Sequence, residues 1–498
     1  MSYLFALVTG ALLPLSLAPF NLWPLGLVAV GLWFWTLVRG VGRDWLLGWW
    51  FGVGKYAVGA SWVYVSIHTY GQASAPLAAG LVALFVAFVA GFAVLNALIF
   101  ARVRTGNVAA DALSFAVVFV LSEWVLTWLL TGFPWLYLGH GHLGTVLSGW
   151  APVGGVFLVS LAAALFAAAS VAVVIQIKAG VRWLRAWPCI ALAIVPWLLG
   201  AWLVRVEWVA PGHAQAVALV QGNVDQSLKW NPGEQARIVE THRDLTNEAW
   251  DTGLVIWPEA AVTAFEHEVP QLLDELDAEA TAADATLVFG IPWATRIPGG
   301  GVEYYNAVRV LGLGDDRYLK HHLVPFGEYV PLESWLRGLI AFFDLPMSGF
   351  SSGPKDVPPL DLGHGLRGAM AICYEIVYPE LVRRSARNAD VLLTVSNDTW
   401  FGRSIGPLQH LEMAQMRALE NGRWLLRATN NGVTAIVDAK GVVRARLPQF
   451  EPGVLRGEWS VMTGLTPYAR LGLLPVSVAG AGLLLLAFIL RRRGIRAP

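Results

Sequence analysis

Three residues in the second half of the chain could together activate a nucleophile. Glu259 and Cys373 each end a short apolar run, and Lys320 lies between them in the sequence. A free thiol is mostly protonated at neutral pH, so its use in covalent catalysis requires a base such as a carboxylate. A lysine ammonium could then stabilise the oxyanion that forms on a carbonyl substrate. A cysteine alone at a strand end is more often a small buried hydrophobe, so it is the combination of the three residues that predicts an enzyme.

The segments around these residues predict an α/β domain. Short apolar strands alternate with amphipathic helices, and in open α/β sheets catalytic groups gather beyond the carboxyl ends of the strands. The predicted strands cover residues 216–221, 254–257, 286–290, 369–373, 391–396 and 434–438. The predicted helices cover residues 235–250, 268–283, 379–388 and 408–421. Residues 341–365 are rich in Gly, Pro and Ser and predict a long loop.

The first part of the chain has the composition of a membrane protein. Hydrophobic residues make up 56% of the sequence and charged residues 14%, against roughly 25% charged residues in soluble chains. Seven apolar runs precede residue 205 and an eighth lies near the end, each close to the ~20 residues that cross a bilayer. The first run lacks a basic leader and another run follows at once, so a span is favoured over a signal peptide. The eight predicted spans cover residues 3–20, 22–38, 45–67, 75–101, 109–131, 150–177, 188–204 and 471–490.

The basic residues of the short loops predict the orientation of these spans. By the positive-inside rule, both termini are cytoplasmic and residues 205–470 lie outside. The predicted domains are a seven-helix membrane domain over 1–204, an outer domain over 205–470, and an eighth helix with a basic cytoplasmic tail over 471–498. The outer domain carries 23 basic against 32 acidic residues and is long enough to bury its own core. The basic residues, which all follow even-numbered spans, are Arg39, Arg43, Arg102, Arg104, Lys178, Arg182, Arg185, Arg491, Arg492 and Arg493.

Charge and cysteine content exclude several other classes of protein. The 35 basic and 35 acidic residues cancel, so no overall field attracts nucleic acid, and no nucleic-acid partner is expected. Two cysteines cannot form a disulfide framework, and Cys189 in the seventh span is expected to be an inert thiol. His140 and His142 lack further metal ligands nearby, so an interfacial loop is favoured over a metal site. No cofactor and no metal are expected.

Two ionisable residues at membrane depth have no assigned role in the chemistry. Lys55 and Glu123 fall within the third and fifth predicted spans, where charge is costly and usually faces the protein interior or a cavity. Two interpretations stay open for them: a structural pair, and a role in admitting lipid to the active site.

The order and context of the three chemical residues resemble a known superfamily. Glu259 in Trp-Pro-Glu, then Lys320, then Cys373 in Cys-Tyr-Glu resemble the nitrilase, or carbon-nitrogen hydrolase, superfamily. With its seven leading spans and one trailing span, the whole chain is similar to one family of that superfamily, the bacterial apolipoprotein N-acyltransferases. The resemblance implies a polytopic α-helical membrane protein of about eight spans that carries an α+β domain, an αββα sandwich. Further matching segments are residues 18–20, 62–66, 132–135, 221–223, 229–230, 325–331 and 397–402.

The resemblance also implies a reaction and its location. An acyl chain passes from a phospholipid, expected to be phosphatidylethanolamine, to the α-amino group of the N-terminal diacylglyceryl-cysteine of an apolipoprotein. The transfer runs through a thioester on the enzyme by a ping-pong scheme and is the final step of lipoprotein maturation. The enzyme is expected in the bacterial inner membrane, with its catalytic domain in the periplasm.

The resemblance assigns a role to each residue of the site. Cys373 is the nucleophile, Glu259 the general base and Lys320 the oxyanion stabiliser. Four supporting residues adjoin them: Glu328, which orients Lys320 or relays a proton, Tyr374 and Glu375, which shape the pocket, and Trp230, a lid or lipid contact.

Two other functions compete with this assignment. A membrane-tethered amidase or nitrilase would hydrolyse a soluble amide, with water resolving the thioester, but seven spans exceed what a tether needs. A transporter with an outer binding module should show repeated halves with broken, polar spans near the midplane. No such repeat is found in the sequence.

Overall fold

The computed structural model describes residues 1–183, 186–336 and 349–492 and divides into two compact units. The first unit contains Met1–Tyr64, Ala75–Glu207 and the segment that begins at Arg470, and the second contains Val65–Ser74 and Trp208–Ala469. Three features named from the sequence lie outside the described residues: Arg185, residues 341–348 of the predicted loop, and the basic tail from Arg493 onward.

The first unit is built from apolar helices. Among the described residues, three helical segments are long and apolar enough to cross a membrane, namely Ala75–Val103, Val108–Val125 and Val146–Lys178. Four shorter segments are also apolar: Ser2–Ser16, Trp23–Arg39, Trp187–Leu203 and Leu474–Leu490. The last belongs to the C-terminal helix, Leu474–Arg492. The α-helices that precede Trp208 are α1 (Ser2–Leu12), α2 (Trp23–Arg39), α3 (Asp44–Gly59), α4 (Trp62–Val65), α5 (Ala75–Val89), α6 (Gly91–Val103), α7 (Val108–Val125), α8 (Ala151–Lys178) and α9 (Trp187–Leu203).

Two of the predicted spans end earlier than expected. In the run predicted over 45–67 the long helix α3 ends at Gly59, and only the short helix α4 and a π-helix, Ser66–Tyr70, follow. Val65–Ser74 belongs to the second unit, where the Ser66 hydroxyl donates a hydrogen bond to the Trp400 carbonyl at 2.8 Å. The run predicted over 109–131 is helical only to Val125. Leu130 has a φ of 52° and Thr131 a φ of 75°, which a right-handed helix does not allow.

The second unit contains two six-stranded sheets and a small hairpin. The first sheet has the order β14-β1-β2-β3-β6-β7, the second has the order β13-β12-β11-β10-β9-β8, and β4 and β5 form the hairpin. The neighbours β1, β2 and β3 run parallel, as do β9, β10 and β11. The strands are β1 (Ala210–Gln221), β2 (Leu254–Ile256), β3 (Thr286–Gly290), β4 (Trp293–Arg296), β5 (Val302–Tyr305), β6 (Ala307–Gly312), β7 (Asp316–Leu319), β8 (Leu360–Asp361), β9 (Arg367–Ile372), β10 (Val391–Ser396), β11 (Trp424–Thr429), β12 (Ala435–Val437), β13 (Val443–Arg446) and β14 (Gly453–Thr463).

Helices cover the outer faces of both sheets. One core cluster joins inward residues of the two sheets, such as Ile256 with Ile372, so the sheets pack face to face. A second cluster packs α11 and α12 on the outer face of the first sheet, while α14 packs on β9 and α15 on β11. The remaining helices are α10 (Gln226–Lys229), α11 (Gln235–Thr246), α12 (Pro270–Ala282), α13 (Glu333–Leu336), α14 (Pro379–Ala386), α15 (Gly406–Asn421) and α16 (Pro467–Leu471).

The predicted α/β domain is confirmed, with more strands than the sequence indicated. Strand β11 was missed because Arg427 interrupts an otherwise apolar run, although this arginine is fully buried. Strands β7 and β13 were missed because only some of their residues face the core. The helix predicted over 235–250 ends at Thr246 instead.

Candidate active site

The three residues singled out from the sequence all follow strand ends of the second unit. Glu259 comes three residues after β2, and Lys320 directly follows β7, both in the first sheet. Cys373 directly follows β9 in the second sheet. Because the two sheets face each other, strand ends from both sheets can contribute to one site.

Lys320 lies among carboxylates in a buried environment. Its ammonium nitrogen is 2.9 Å from an oxygen of Glu328 and 3.7 Å from Oε1 of Glu259. Burial opposes the charged form of this lysine, yet Glu328 and Glu259 together hold its pKa above the usual value. Lys320 is therefore a fixed cation, as an oxyanion stabiliser must be.

Asn306 links the two carboxylates that flank Lys320. Its side-chain amide donates one hydrogen bond to Glu259 Oε1 at 2.7 Å and another to Glu328 Oε1 at 2.8 Å. The second oxygen of Glu328 accepts a hydrogen bond from the Val324 backbone N–H at 2.8 Å. Both Glu328 oxygens are thus occupied, which suits a residue that orients the lysine.

Glu259 is held at both its side chain and its backbone. Its Oε2 accepts a hydrogen bond from the Asn397 backbone N–H at 2.7 Å, and its carbonyl oxygen accepts one from the Lys229 ammonium at 3.0 Å. Lys229 is buried, and this burial lowers its pKa to about 8. Together with Asn306, these residues position Glu259 by contacts from three separate segments.

Cys373 occupies a strained backbone position. Its φ is 51°, in the left-handed region that residues with a side chain seldom adopt. Residues held in such a conformation cluster at functional sites. The residue keeps part of its surface exposed, whereas desolvation of the thiol and the nearby Glu259 raise the pKa of the thiol. A hydrogen bond joins the thiol to the Ser396 side chain. Because the thiol alone resists ionisation, it needs a base, and Glu259 is near enough to act electrostatically on it.

Glu375 ties the Lys320 segment to the Cys373 segment. Its Oε1 accepts hydrogen bonds from the Tyr318 hydroxyl at 2.9 Å and from the backbone N–H groups of His321 and His322 at 2.8 and 3.0 Å. Its Oε2 accepts one from the Ile372 N–H at 2.8 Å. Burial raises the pKa of Glu375, and this is opposed chiefly by Lys320. One carboxylate therefore fixes the spacing between the two strand ends.

The last two predicted residues border this cluster. Tyr374 is buried, with its ring 5.3 Å from that of Tyr378, and its burial raises its pKa. Trp230 ends α10, directly after Lys229, and is only partly buried. Tyr374 is thus a buried neighbour of Cys373, and Trp230 is adjacent to Lys229, which contacts the Glu259 carbonyl.

Sequence reasoning missed some of the residues that position the site. Asn306 is the single residue between β5 and β6, two strands that were not predicted, so no pattern marked it. Lys229 and Asn397 stand in segments that matched the family, but nothing in their spacing revealed that each contacts Glu259.

The residues assigned no chemistry from the sequence belong to the first unit. His140 and His142 are buried and belong to the 3-10 helix Leu138–His142, and His140 stacks on Tyr137 with ring centres 5.5 Å apart. Lys55 and Glu123 are both buried and line one cavity. Within residues 1–183, 186–336 and 349–492, no group of three or more His, Cys, Asp or Glu side chains could hold a metal ion.

Two family models match the chain. Residues 216–467 match the carbon-nitrogen hydrolase family, and residues 9–169 match the N-terminal domain of apolipoprotein N-acyltransferase.

Curated relatives match the chain over nearly its full length. A protein of Azotobacter vinelandii is 48% identical, with 99% of this chain and 96% of the relative covered. A protein of Pseudomonas aeruginosa is 46% identical over the same shares of the two chains, 99% and 96%. A protein of Vibrio cholerae is 40% identical, with 96% of this chain and 94% of the relative covered. All three relatives are named apolipoprotein N-acyltransferase.

Proposed function

This chain belongs to the apolipoprotein N-acyltransferase family, and we propose that it transfers the acyl group through a thioester on Cys373. It is an acyltransferase of lipoprotein maturation with a carbon-nitrogen hydrolase domain. The observation that carries the proposal is the site itself: Lys320 lies 3.7 Å from Glu259, and both act electrostatically on the Cys373 thiol.

In the first half-reaction, Glu259 accepts the thiol proton and the Cys373 thiolate attacks the ester carbonyl of a phospholipid. Lys320 stabilises the oxyanion of the tetrahedral intermediate. The intermediate collapses with cleavage of the C–O bond, and Glu259 returns the proton to the departing lysophospholipid oxygen. An acyl thioester on Cys373 remains. Phosphatidylethanolamine is the proposed donor.

In the second half-reaction, the α-amine of a diacylglyceryl-cysteine attacks the thioester. Glu259 accepts a proton from the amine, a C–N bond forms, and the C–S bond breaks as the sulfur regains a proton. The products are an N-acylated lipoprotein and free enzyme. Since two amphiphiles use one nucleophile in turn, the kinetics are ping-pong.

The supporting residues divide into orienting and lining groups. Glu328 orients Lys320, which its contact at 2.9 Å supports. Glu375 keeps the nucleophile and lysine segments in register, which its hydrogen bonds to both segments support. Tyr374 lines the pocket, and Trp230 contacts lipid.

The proposed reaction is tested with purified enzyme in two stages. Incubation with phosphatidylethanolamine alone should add one acyl mass to the protein, and peptide mapping should locate that mass on Cys373. Addition of a diacylglyceryl-cysteine peptide should then move the acyl group to the peptide amine. Release of free fatty acid without peptide acylation would instead favour the membrane-tethered amidase.

The two cysteines provide a matched control for this experiment. Cys373→Ala should give neither acyl-enzyme nor acylated peptide. Cys189→Ala should behave as the unmodified enzyme, because Cys189 lies buried in α9 of the first unit. Activity that survives in Cys373→Ala would exclude the covalent mechanism.

We also propose the topology that the sequence predicts: eight spans in the bacterial inner membrane, with a catalytic domain over 205–470 in the periplasm. The apolar helices and the basic residues that follow even-numbered spans support it. A reporter fused near residue 300 should report a periplasmic location. A cytoplasmic signal would overturn both this topology and the apolipoprotein substrate's route to the site.

A further inference from the structure

A buried polar cluster lies against the nucleophile and has no role in the steps above. It consists of Asp398, which follows β10, His410 on α15 and Arg427 on β11, and none of the three is more than 1% exposed. Arg427 Nη2 donates a hydrogen bond to Asp398 Oδ2 at 2.7 Å, and His410 Nδ1 is 3.0 Å from Asp398 Oδ1. Buried charges in such an arrangement hold one another in place.

The cluster reaches the backbone of Cys373 through His410. His410 Nε2 is 3.1 Å from the carbonyl oxygen of Cys373. A carbonyl oxygen can only accept a hydrogen bond, so Nε2 carries a proton and donates it. His410 Nδ1 can either donate to Asp398 or accept from Arg427, whose Nη2 is 3.0 Å away. Both arrangements keep the Nε2 proton directed at Cys373.

The hydrogen bond from His410 to the Cys373 carbonyl also determines the direction of the neighbouring Tyr374 N–H. The Cys373 carbonyl and the Tyr374 N–H belong to one planar peptide unit and point in opposite directions across it. A hydrogen bond that fixes the carbonyl therefore fixes the direction of the N–H. Among the described residues, none accepts a hydrogen bond from the Tyr374 N–H.

The backbone conformation at Cys373 makes such an anchor necessary. A φ of 51° is sparsely populated for a residue with a side chain and persists only when its surroundings hold it. His410 supplies a directional restraint at the strained residue itself, from a ring that Asp398 and Arg427 in turn restrain.

We propose that His410 is a positioning residue that aims the Tyr374 N–H at the oxyanion, opposite Lys320, with Asp398 and Arg427 orienting its ring. The inference rests on the proposed thioester mechanism and deepens it. His410 does not touch the substrate, so its removal should slow the formation of the tetrahedral intermediate without changing phospholipid binding.

Two variants of equal polarity separate this role from simple packing. The amide nitrogen of Gln lies near the position of histidine Nε2, whereas that of Asn lies near Nδ1. His410→Gln should keep the hydrogen bond to Cys373 and acylate within a few-fold of the unmodified enzyme. His410→Asn should lose it and form acyl-enzyme about 10-fold more slowly or worse, with KM for phospholipid unchanged, since complete loss of one oxyanion donor costs roughly 10²- to 10³-fold.

The rate at which iodoacetamide alkylates Cys373 distinguishes the proposed role from a structural defect, because a structural defect would lower this rate. Alkylation needs the thiolate and Glu259 but forms no oxyanion, so its rate should be unchanged in His410→Asn. Equal acylation rates in the Asn and Gln variants would overturn the proposal, as would a loss of alkylation that parallels the loss of acylation. If His410→Asn does not fold, Asp398→Asn takes its place and should show the same slow acylation, with alkylation no slower than in the unmodified enzyme, because loss of the Asp398 charge favours the thiolate. Failure of the unmodified enzyme to form acyl-enzyme would refute the thioester mechanism instead. The experiment therefore distinguishes failure of that mechanism from failure of the role proposed for His410.

Discussion

The two sheets hold the proposed base, Glu259, and the proposed nucleophile, Cys373, in different ways. Each residue has its backbone carbonyl fixed by a buried basic side chain, Glu259 by Lys229 and Cys373 by His410. The side chains differ. Both oxygens of the Glu259 carboxylate accept hydrogen bonds, with Lys320 also nearby, whereas the Cys373 sulfur is hydrogen-bonded to the Ser396 side chain.

This difference follows from what each atom must do. A buried carboxylate is stable only when its charge is paired and hydrogen-bonded, and as a base it must stay where the proton arrives. The sulfur must form and break a covalent bond, so strong contacts to it would have to be lost in every cycle. The chain therefore fixes the proposed nucleophile mainly through its backbone, and the proposed base through its side chain as well as its backbone.

The largest expected effect comes from altering the side chain of the base. Glu259→Gln is nearly isosteric and leaves the backbone contact to Lys229, but it removes the proton acceptor. Acyl-enzyme formation should fall by about 10²- to 10⁴-fold, the range for loss of general base catalysis. Intact-protein mass spectrometry after exposure to phospholipid measures it.

The control for this variant is the same change at an exposed site. Glu240→Gln, on the exposed face of α11, should leave the rate unchanged. A normal rate of thioester formation in Glu259→Gln would remove Glu259 from the mechanism and break the comparison between the two sheets.

The second effect tests whether Lys320 acts on the reaction or only on the stability of its carboxylate partners. Lys320→Met should lower acyl-enzyme formation by roughly 10²- to 10³-fold through loss of the oxyanion contact. It should also lower the unfolding temperature, because it leaves Glu328 and Glu259 buried without their cation, a change that costs about 3–5 kcal/mol.

A double variant separates these two roles of Lys320. Lys320→Met with Glu328→Gln removes one of the unpaired charges, so the unfolding temperature should recover in part while the rate stays low. Recovery of the rate together with stability would mean that Lys320 is structural.

Much of this site could be predicted from the sequence, for an identifiable reason. Glu259 and Cys373 each end an apolar strand, and that pattern is local, so it can be read along the chain. The contacts of Asn306 and His410 depend on segments brought together only by folding, 47 and 37 residues from their partners Glu259 and Cys373. Strand β11 was missed for the same reason: its buried Arg427 pairs with Asp398, which follows a different strand, so the sequence did not indicate that the arginine could be buried.

The smallest expected effect concerns Lys229. Its hydrogen bond to the Glu259 carbonyl corresponds to the hydrogen bond of His410 to the Cys373 carbonyl. Burial lowers the pKa of Lys229 from 10.5 to about 8. Below pH 8 the lysine is charged in both the folded and the unfolded protein, so the folded state carries the full cost of burying the charge. Between pH 8 and 10.5 the unfolded state binds more protons than the folded state, and the stability of the folded state therefore rises with pH.

Comparison with Lys229→Met isolates this contribution from every other titrating group. The stability of the unmodified protein relative to the variant should increase between pH 8 and 10.5, by an amount on the order of 3 kcal/mol at most. Unfolding temperatures in detergent, measured at intervals across that range, report it as a divergence of the two curves. Lys355→Met, at an exposed position, should give a curve parallel to that of the unmodified protein. If the Lys229→Met curve were also parallel, the lysine would not be desolvated in solution, and its hold on the Glu259 carbonyl would be weaker than that of His410 on Cys373.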